Sequence, residues 1–517
     1  MKTPTTQRSL SMRARRDLRL FLLGATLIAL GAWAGGQTPV RPPQEETKRG
    51  GKGAKGGGGR GEAKMPPAVF HTEVPKLPYD LVLGRPTRDA VTVSVLAYGE
   101  REGYVAYGTV PGKPDRETPR RRFAAGEPAD VRLEGLAPGT RHHFVLRSRA
   151  PGAAEFETSA EGTFVTARPP GSAFVFTVQA DPHLDFGTDP AVYRKSLAHA
   201  VAARTDFHVD LGDTFMTDKY PTFTDAAPHY LAQRHYFGLV GLHAPVFLVL
   251  GNHDGEQPGR DGTGPGSMAV WANGMRKKYF PNPRPDGFYT GNAAAHPHAG
   301  ILENYYAWEW GDALFVALDP FWYSARVRRG EGDNWARTLG EAQYRWLVAT
   351  LAGSRARFTF VFLHHLVGGE TPEGRGGAEA SRFFEWGGRE LDGRETFAQR
   401  RPGWPAPIHD LLVRRGGGTV VFHGHDHLYA QQERDGIVYQ LVPQPGHTRN
   451  DNTRSAADYG YKSGVIAGAS GILRVAVAPD RARVDYVRAY PDAAEGGPRR
   501  SGAVTHTYEV KPAEIAP

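Results

Sequence analysis

Five short apolar runs in this chain each end on a cluster of carboxylate, amide or imidazole side chains. Phe174-Val175-Phe176-Thr177-Val178 leads into Asp181-Pro182-His183, and Phe207 to Leu211 leads into Gly212-Asp213. Val246 to Leu250 leads into Gly251-Asn252-His253-Asp254. Phe358 to Leu363 leads into His364-His365, and Val420-Val421-Phe422 into His423-Gly424-His425-Asp426-His427. Such runs read as central strands, apolar on both faces because both are covered. Helical patterns lie between several of them. Asp189 can cap, and Pro190 suits the first turn of, a helix running to about Arg204. Glu341 to Leu351 forms another, with Tyr344, Leu347 and Leu351 on one face. Strand–helix alternation predicts an α/β layered fold, in which ligands gather beyond the carboxyl ends of the strands. All five clusters would converge there.

The chain has no cysteine. That excludes a thiol nucleophile, Cys-ligated zinc or iron–sulfur sites, and disulfides. Oxygen and imidazole ligands suit Mn, Fe or Zn. The clusters supply more ligands than one ion with an open position needs, and they suit two ions sharing a carboxylate. Paired ions about 3.5–4 Å apart serve in-line displacement at phosphorus.

Asp181-x-His183, Gly212-Asp213, Gly251-Asn252-His253-Asp254, His364 and Gly424-His425-x-His427 together resemble the five ordered motifs of the calcineurin-like metallophosphoesterases. Tyr305 to Asp312 before Leu318-Asp319, and Gln343 to Leu347, fit the same pattern. The resemblance covers about residues 172–490. It implies two mixed β-sheets flanked by helices, and two divalent or trivalent ions (Fe, Mn or Zn). Asp181, His183 and His427 would hold the first ion, and Asn252, His364 and His425 the second. Asp213 would bridge them, with a bridging hydroxide as nucleophile. His253 would face the leaving-group oxygen as proton donor or charge stabiliser. His364, the first histidine after its strand, is preferred to His365 as ligand.

One position departs from the families that this part of the sequence resembles. Purple acid phosphatases carry a tyrosine ligand three residues after the bridging aspartate, and serine/threonine phosphatases an aspartate that pairs with the catalytic histidine. Met216 stands there. An iron–tyrosinate centre and protein phosphatase specificity are therefore not expected, and Asp254 and Asp218 are alternative partners for His253.

Several other residues have plainer readings. His423 reads as a packed histidine, and Asp185 and Asp426 as neighbours of ligands or exposed groups. Tyr305, Trp308 and Trp322 read as core or pocket wall. His296-x-His298 lies in an Ala/Gly/Pro loop without a third partner. His447 is a candidate phosphate contact. The inserts at 255–300 and 366–404 are expected to shape the pocket mouth.

Residues 67–170 show short alternating segments separated by turns, as in a β-sandwich. Leu136-Ala137-Pro138-Gly139-Thr140-Arg141-His142 resembles the turn entering a late fibronectin type III strand, with His142 where that family usually has tyrosine. A fibronectin-like sandwich ahead of the phosphoesterase-like part (171–492) resembles the purple acid phosphatase-like branch. Residues 1–34 have a basic start, an apolar run from Leu20 to Trp33 and Ala32-Trp33-Ala34, the layout of a secretory signal peptide. An uncleaved anchor is the alternative, and Arg15-Arg16 resembles a twin-arginine signal. Residues 35–66 are Gly-, Pro- and Lys-rich and read as a flexible linker. A tail follows from 493, in which Val504 to Val510 can add an edge strand. Residues 1–64 carry 13 Lys/Arg against 4 Asp/Glu, and the remainder 50 against 51. The basic balance belongs to the leader, which speaks against nucleic acid as a partner of the body.

These readings predict a periplasmic or extracellular enzyme hydrolysing small phosphate monoesters, without a stable membrane span after cleavage. Phosphodiester hydrolysis on nucleotides or phospholipid head groups is the alternative within the same chemistry. A metal-binding surface or adhesion protein is the non-enzymatic one, and the presence of His253 argues against it.

Overall fold

The computed structural model describes residues 69–325, 333–368 and 375–514. The predicted leader (1–34) and linker (35–66) lie outside the described residues.

The two layers that carry the clusters are mixed sheets packed face to face. A six-stranded sheet runs in the order Val246–Leu248, Phe207–Asp210, Phe174–Gln179, Gly471–Ala478, Arg481–Arg488 and Val504–Val510. Its first three strands are parallel, and the other three add on antiparallel. Gly471–Ala478 and Arg481–Arg488 form a hairpin, and the strand from the predicted tail forms the sheet's edge. An eight-stranded sheet has at its centre Ala313–Ala317, Phe358–Phe362, Thr419–His423 and Ile437–Leu441, all parallel.

Between the sheets lies a core rich in phenylalanine. Phe176 and Phe207 from one layer meet Phe315, Phe360, Phe362, Phe422 and Trp308 from the other, all buried. Phe176 sits 5.1 Å from Phe360 and 5.2 Å from Phe315, ring centre to ring centre. The outer faces are covered too. Helices Gly340–Gly353 and Ile408–Arg415 bury Tyr344, Leu347 and Leu412 on the eight-stranded sheet. Helices Pro190–Ala202 and Ala227–Gly241 bury Leu197 and Phe237 on the six-stranded one. Burial on both faces is why the strand sequences read as continuous apolar runs. The Asp189 side chain caps Pro190–Ala202 by accepting from Ala191 N at 2.8 Å.

Helices Ala227–Gly241 and Met268–Tyr279 have no clear apolar stripe in the sequence. The first buries His229, Gln233 and Arg234, and the second Asn273 and Arg276, so polar residues interrupt the periodic signal.

Residues 79–165 are all-β. A three-stranded antiparallel sheet (Tyr79–Gly84, Val91–Ala97, Ala129–Leu133) faces a second antiparallel sheet built on Arg101–Gly108 and Arg141–Arg149. Leu83, Val93, Val105, Phe144 and Phe164 share their core. His142 stacks on Phe164 at 5.1 Å, while Thr166 Oγ1 donates to Ala137 O at 2.7 Å and holds the corner. No helix among the described residues is long and apolar enough to cross a membrane.

Candidate metal centre

The candidate ligands sit two to four residues beyond a strand's carboxyl end, where the chain turns sharply. Asp181, Asp213, His425 and His427 have φ of 58°, 54°, 78° and 55°, in the left-handed region that non-glycine residues avoid. Such backbone costs roughly 1–3 kcal/mol per residue and concentrates where structure serves a site. Neighbouring turns approach so closely that a Cβ at Gly251 would collide with Asp213 N, and one at Gly424 would lie 2.7 Å from Asp181 Oδ2.

The turns bring six side chains into two groups: Asp181, His183 and His427, and Asp213, His364 and His425. Within each group the ligand atoms lie within 4.8 Å of one another. His364 Nε2 is 3.2 Å from Asp213 Oδ2 and 3.8 Å from Asp181 Oδ1, so the groups share one centre. His183 Nε2 is 3.7 Å from Asp213 Oδ2 and 3.6 Å from Asp181 Oδ1. His427 Nε2 is 3.5 Å from Asp181 Oδ1. Asn252 stands between Gly251 and His253, both of which approach Asp213, and it is buried with its Oδ1 without a hydrogen-bond partner.

Three features of this cluster fit cations. Asp181 Oδ1, His183 Nε2 and Asn252 Oδ1 are buried without a hydrogen-bond partner, a costly state for a polar atom unless a ligand completes it. His364 Nε2 and His425 Nδ1 face each other at 3.2 Å. The remote ring nitrogens are fixed from outside, His364 Nδ1 by Leu211 O at 2.9 Å and His183 Nδ1 by Asp185 at 3.4 Å. Such outer bonds orient imidazoles toward metal. Electrostatics follow the same arrangement. Burial alone would raise Asp213 and Asp181, yet His364 and its neighbours hold both below the usual carboxylate range. Burial would lower His364, and the facing Asp213 and Asp181 lift it to about 9. Burial, Arg375 and the neighbouring histidines push His425 well down.

His253 stands at the rim, its backbone N–H donating to Asp213 Oδ1 at 2.7 Å. Its Nδ1 lies 3.0 and 3.1 Å from the two oxygens of Asp218. Of the two alternatives open in the sequence, the partner is therefore Asp218. Arg260 in turn pairs with Asp218 at 2.7 Å. Asp254 instead accepts from the backbone N–H groups of Gly251, Asp213, Thr214 and Phe215, at 2.7 to 3.1 Å. Burial and the Asp213 charge push Asp254 up to about 7.

The remaining candidates fall as follows. His365 points Nδ1 at Leu366 O and lies outside both groups. His423 is buried and stacks on Tyr461. His296 and His298 pack near Trp322 and belong to no metal-type group among the described residues. Asp426 is not exposed: Arg375 Nε reaches it at 2.7 Å and Tyr461 Oη at 2.7 Å. Trp308 and Tyr305 are buried. The His447 ring is 6.4 Å from that of His427, and burial and His427 lower it to about 4. The two inserts reach this region through Arg260 and Arg375. Neither arginine carried a signal in the sequence.

The family model of calcineurin-like phosphoesterases matches residues 174–429. The chain carries a calcineurin-like phosphoesterase domain. The phosphoesterase and its leading β region together share a fold with two solved structures. One is PhoD, at 14% identity and TM-score 0.58, covering 85% of this chain and 92% of that one. The other is the purple acid phosphatase PPD1 from yellow lupin (Lupinus luteus) seeds, at 14% identity and TM-score 0.55, covering 84% and 74%. A search of curated proteins finds no match to the phosphoesterase.

Proposed function

We propose that this phosphoesterase is an exported enzyme that hydrolyses small phosphate monoesters at a dinuclear metal centre. The observation that carries the reading is the shared centre of two ligand groups beside a carboxylate-held histidine. Asp181, His183 and His427 would hold one ion, Asn252, His364 and His425 the other, and Asp213 both. When bound, the ions supply Lewis-acid stabilisation of phosphoryl oxygens and an ionised water near neutral pH.

The chain's own groups do the rest. Asp218 occupies His253 Nδ1 and so leaves Nε2 to face the ester, where it gives its proton to the departing oxygen. The His253 side chain is 21% exposed, enough to meet a substrate at the rim. The Arg260 guanidinium offsets the Asp218 charge beside His253, so the rim does not repel a dianionic monoester. Export rests on the basic and apolar order of residues 1–34.

The test is hydrolysis of p-nitrophenyl phosphate against bis(p-nitrophenyl) phosphate by protein from Gln37 onward, reconstituted separately with Mn, Zn and Fe. Monoester preference abolished by Asp213→Asn is expected. Diester preference would overturn the substrate assignment. Metal-loaded protein silent on both would overturn hydrolysis of simple esters.

A further inference from the structure

One amide spans two of the turns that carry ligands of the proposed centre. Gln233 is fully buried on the helix Ala227–Gly241. Its Nε2 donates to Pro182 O at 3.1 Å and to Thr214 O at 2.8 Å. Pro182 lies between Asp181 and His183, and Thr214 directly follows Asp213. The two hydrogens of one amide therefore tie together the turns of two different strands. Tyr193 Oη donates to Gln233 Oε1 at 3.4 Å, which leaves the NH2 end facing the turns. Tyr193 Oη also accepts from Gln179 Nε2, at 3.1 Å.

The helix behind this amide is itself pinned. The next residue, Arg234, is fully buried and pairs with Asp80 of the leading β region at 2.5 Å. It also donates to Ser94 O at 3.0 Å and to Tyr279 O. Tyr98 Oη completes Asp80 at 2.8 Å. A helix fixed on both flanks cannot slide to replace a lost bond at position 233. Backbone at Asp181 and Asp213 is held in left-handed conformations, and strained turns persist only where their surroundings over-determine them.

We propose that Gln233 is a positioning residue that sets the separation of the Asp181 and Asp213 turns, and through them the spacing of the two ions. The inference rests on the dinuclear reading. It also gives the leading β region a role: it braces, through Asp80 and Arg234, the helix that spaces the centre.

The test uses Gln233→Leu, of similar volume but without donors, and Gln233→Glu, which keeps at most one. Protein from Gln37 onward is titrated with Mn(II). Stoichiometry is read by equilibrium dialysis, and the exchange coupling of the Mn pair by electron paramagnetic resonance. Urea unfolding of the metal-free forms accompanies both. Loss of residues that orient metal ligands typically weakens binding by roughly 10–100-fold. For Gln233→Leu a loss of that size in the second equivalent is expected, with altered or lost coupling, while Gln233→Glu falls between it and wild type. Coupling reports ion spacing, which a general loss of stability does not change in the molecules that remain folded. Folded Gln233→Leu or Gln233→Glu with wild-type affinity and coupling would overturn the positioning role alone. Wild-type protein that binds no coupled pair would overturn the dinuclear reading with it.

Discussion

Asp254→Asn is nearly isosteric, yet it should damage both stability and metal binding. The carboxylate accepts four backbone N–H groups: Thr214 and Phe215 on Oδ1 at 2.8 and 2.7 Å, Gly251 and Asp213 on Oδ2 at 2.7 and 3.1 Å. An asparagine keeps one acceptor oxygen. Its NH2 would then face two buried N–H donors and leave both unpaired. Each buried unsatisfied donor costs about 1–3 kcal/mol, so the variant should lose about 2–6 kcal/mol. That is a large share of the roughly 5–15 kcal/mol that keeps a domain folded. With the NH2 in place of Oδ2, one orphaned donor is that of Asp213 itself, whose φ of 54° this bond helps to hold; in place of Oδ1, the orphaned donors are Thr214 and Phe215, in the same turn. Relaxation there moves the carboxylate away from His364 and His183, so metal affinity falls with stability. Urea unfolding with and without Mn(II), together with Mn(II) titration, separates the two losses. A variant within about 0.5 kcal/mol of wild type, with unchanged affinity, would refute the reasoning, because surface-like tolerance is incompatible with two orphaned donors.

Three further outcomes are expected. Asp213→Asn should lower turnover of p-nitrophenyl phosphate to near background, and a chelator should lower the wild-type melting temperature while leaving that of Asp213→Asn nearly unchanged; equal shifts would exclude Asp213 as a ligand. His253→Gln should lower kcat by roughly 10²–10⁴-fold on alkyl phosphates, whose leaving oxygen needs a proton, and less on p-nitrophenyl phosphate; Asp218→Asn should follow the same order with a smaller loss, and an equal loss on both substrates would remove proton donation. Asp210, buried and held by Gln179 at 3.0 Å and by Thr214, is pushed up to about 8 by burial. Its folded value lies above the unfolded value of about 3.9, so the stability it contributes is full below that pH and lost as pH rises toward 8. The difference between Asp210→Asn and wild type in urea should therefore be smallest at about pH 4 and widen in the variant's favour by a few kcal/mol by pH 9, since each tenfold difference in proton affinity between the two states corresponds to about 1.36 kcal/mol; parallel pH profiles would contradict this.

The site was legible in the sequence to the extent that its residues are local to strand ends. A strand buried on both faces announces itself as an apolar run, and the first polar residues after it are where side chains of several strands meet. Asp181, Asp213, Asn252, His364 and His425 all follow that rule, and four of these five lie in the two gathered groups. What did not show are contacts made across the chain. Asp218 and Asp254 were equivalent as carboxylates near His253, and only the path of the backbone sends one to the ring and the other to four N–H groups. Asp426 is a polar residue in a polar run, and nothing local says that Arg375 buries it.

Gln233 lies furthest from any local signal, and the reason is physical. A helix that braces a polar site must bury polar groups, so the apolar stripe that would reveal it is broken by the residues that give it its purpose. His229, Gln233 and Arg234 interrupt Ala227–Gly241 in this way, and Asn273 and Arg276 interrupt Met268–Tyr279, where they meet Glu256 two residues after Asp254. In both helices the buried polar residue bonds to a loop next to the ligand turns. The weakness of the periodic signal and the proximity to the site thus have one cause. By that logic, unreadable segments next to readable motifs are the places to search for the groups that position a metal centre.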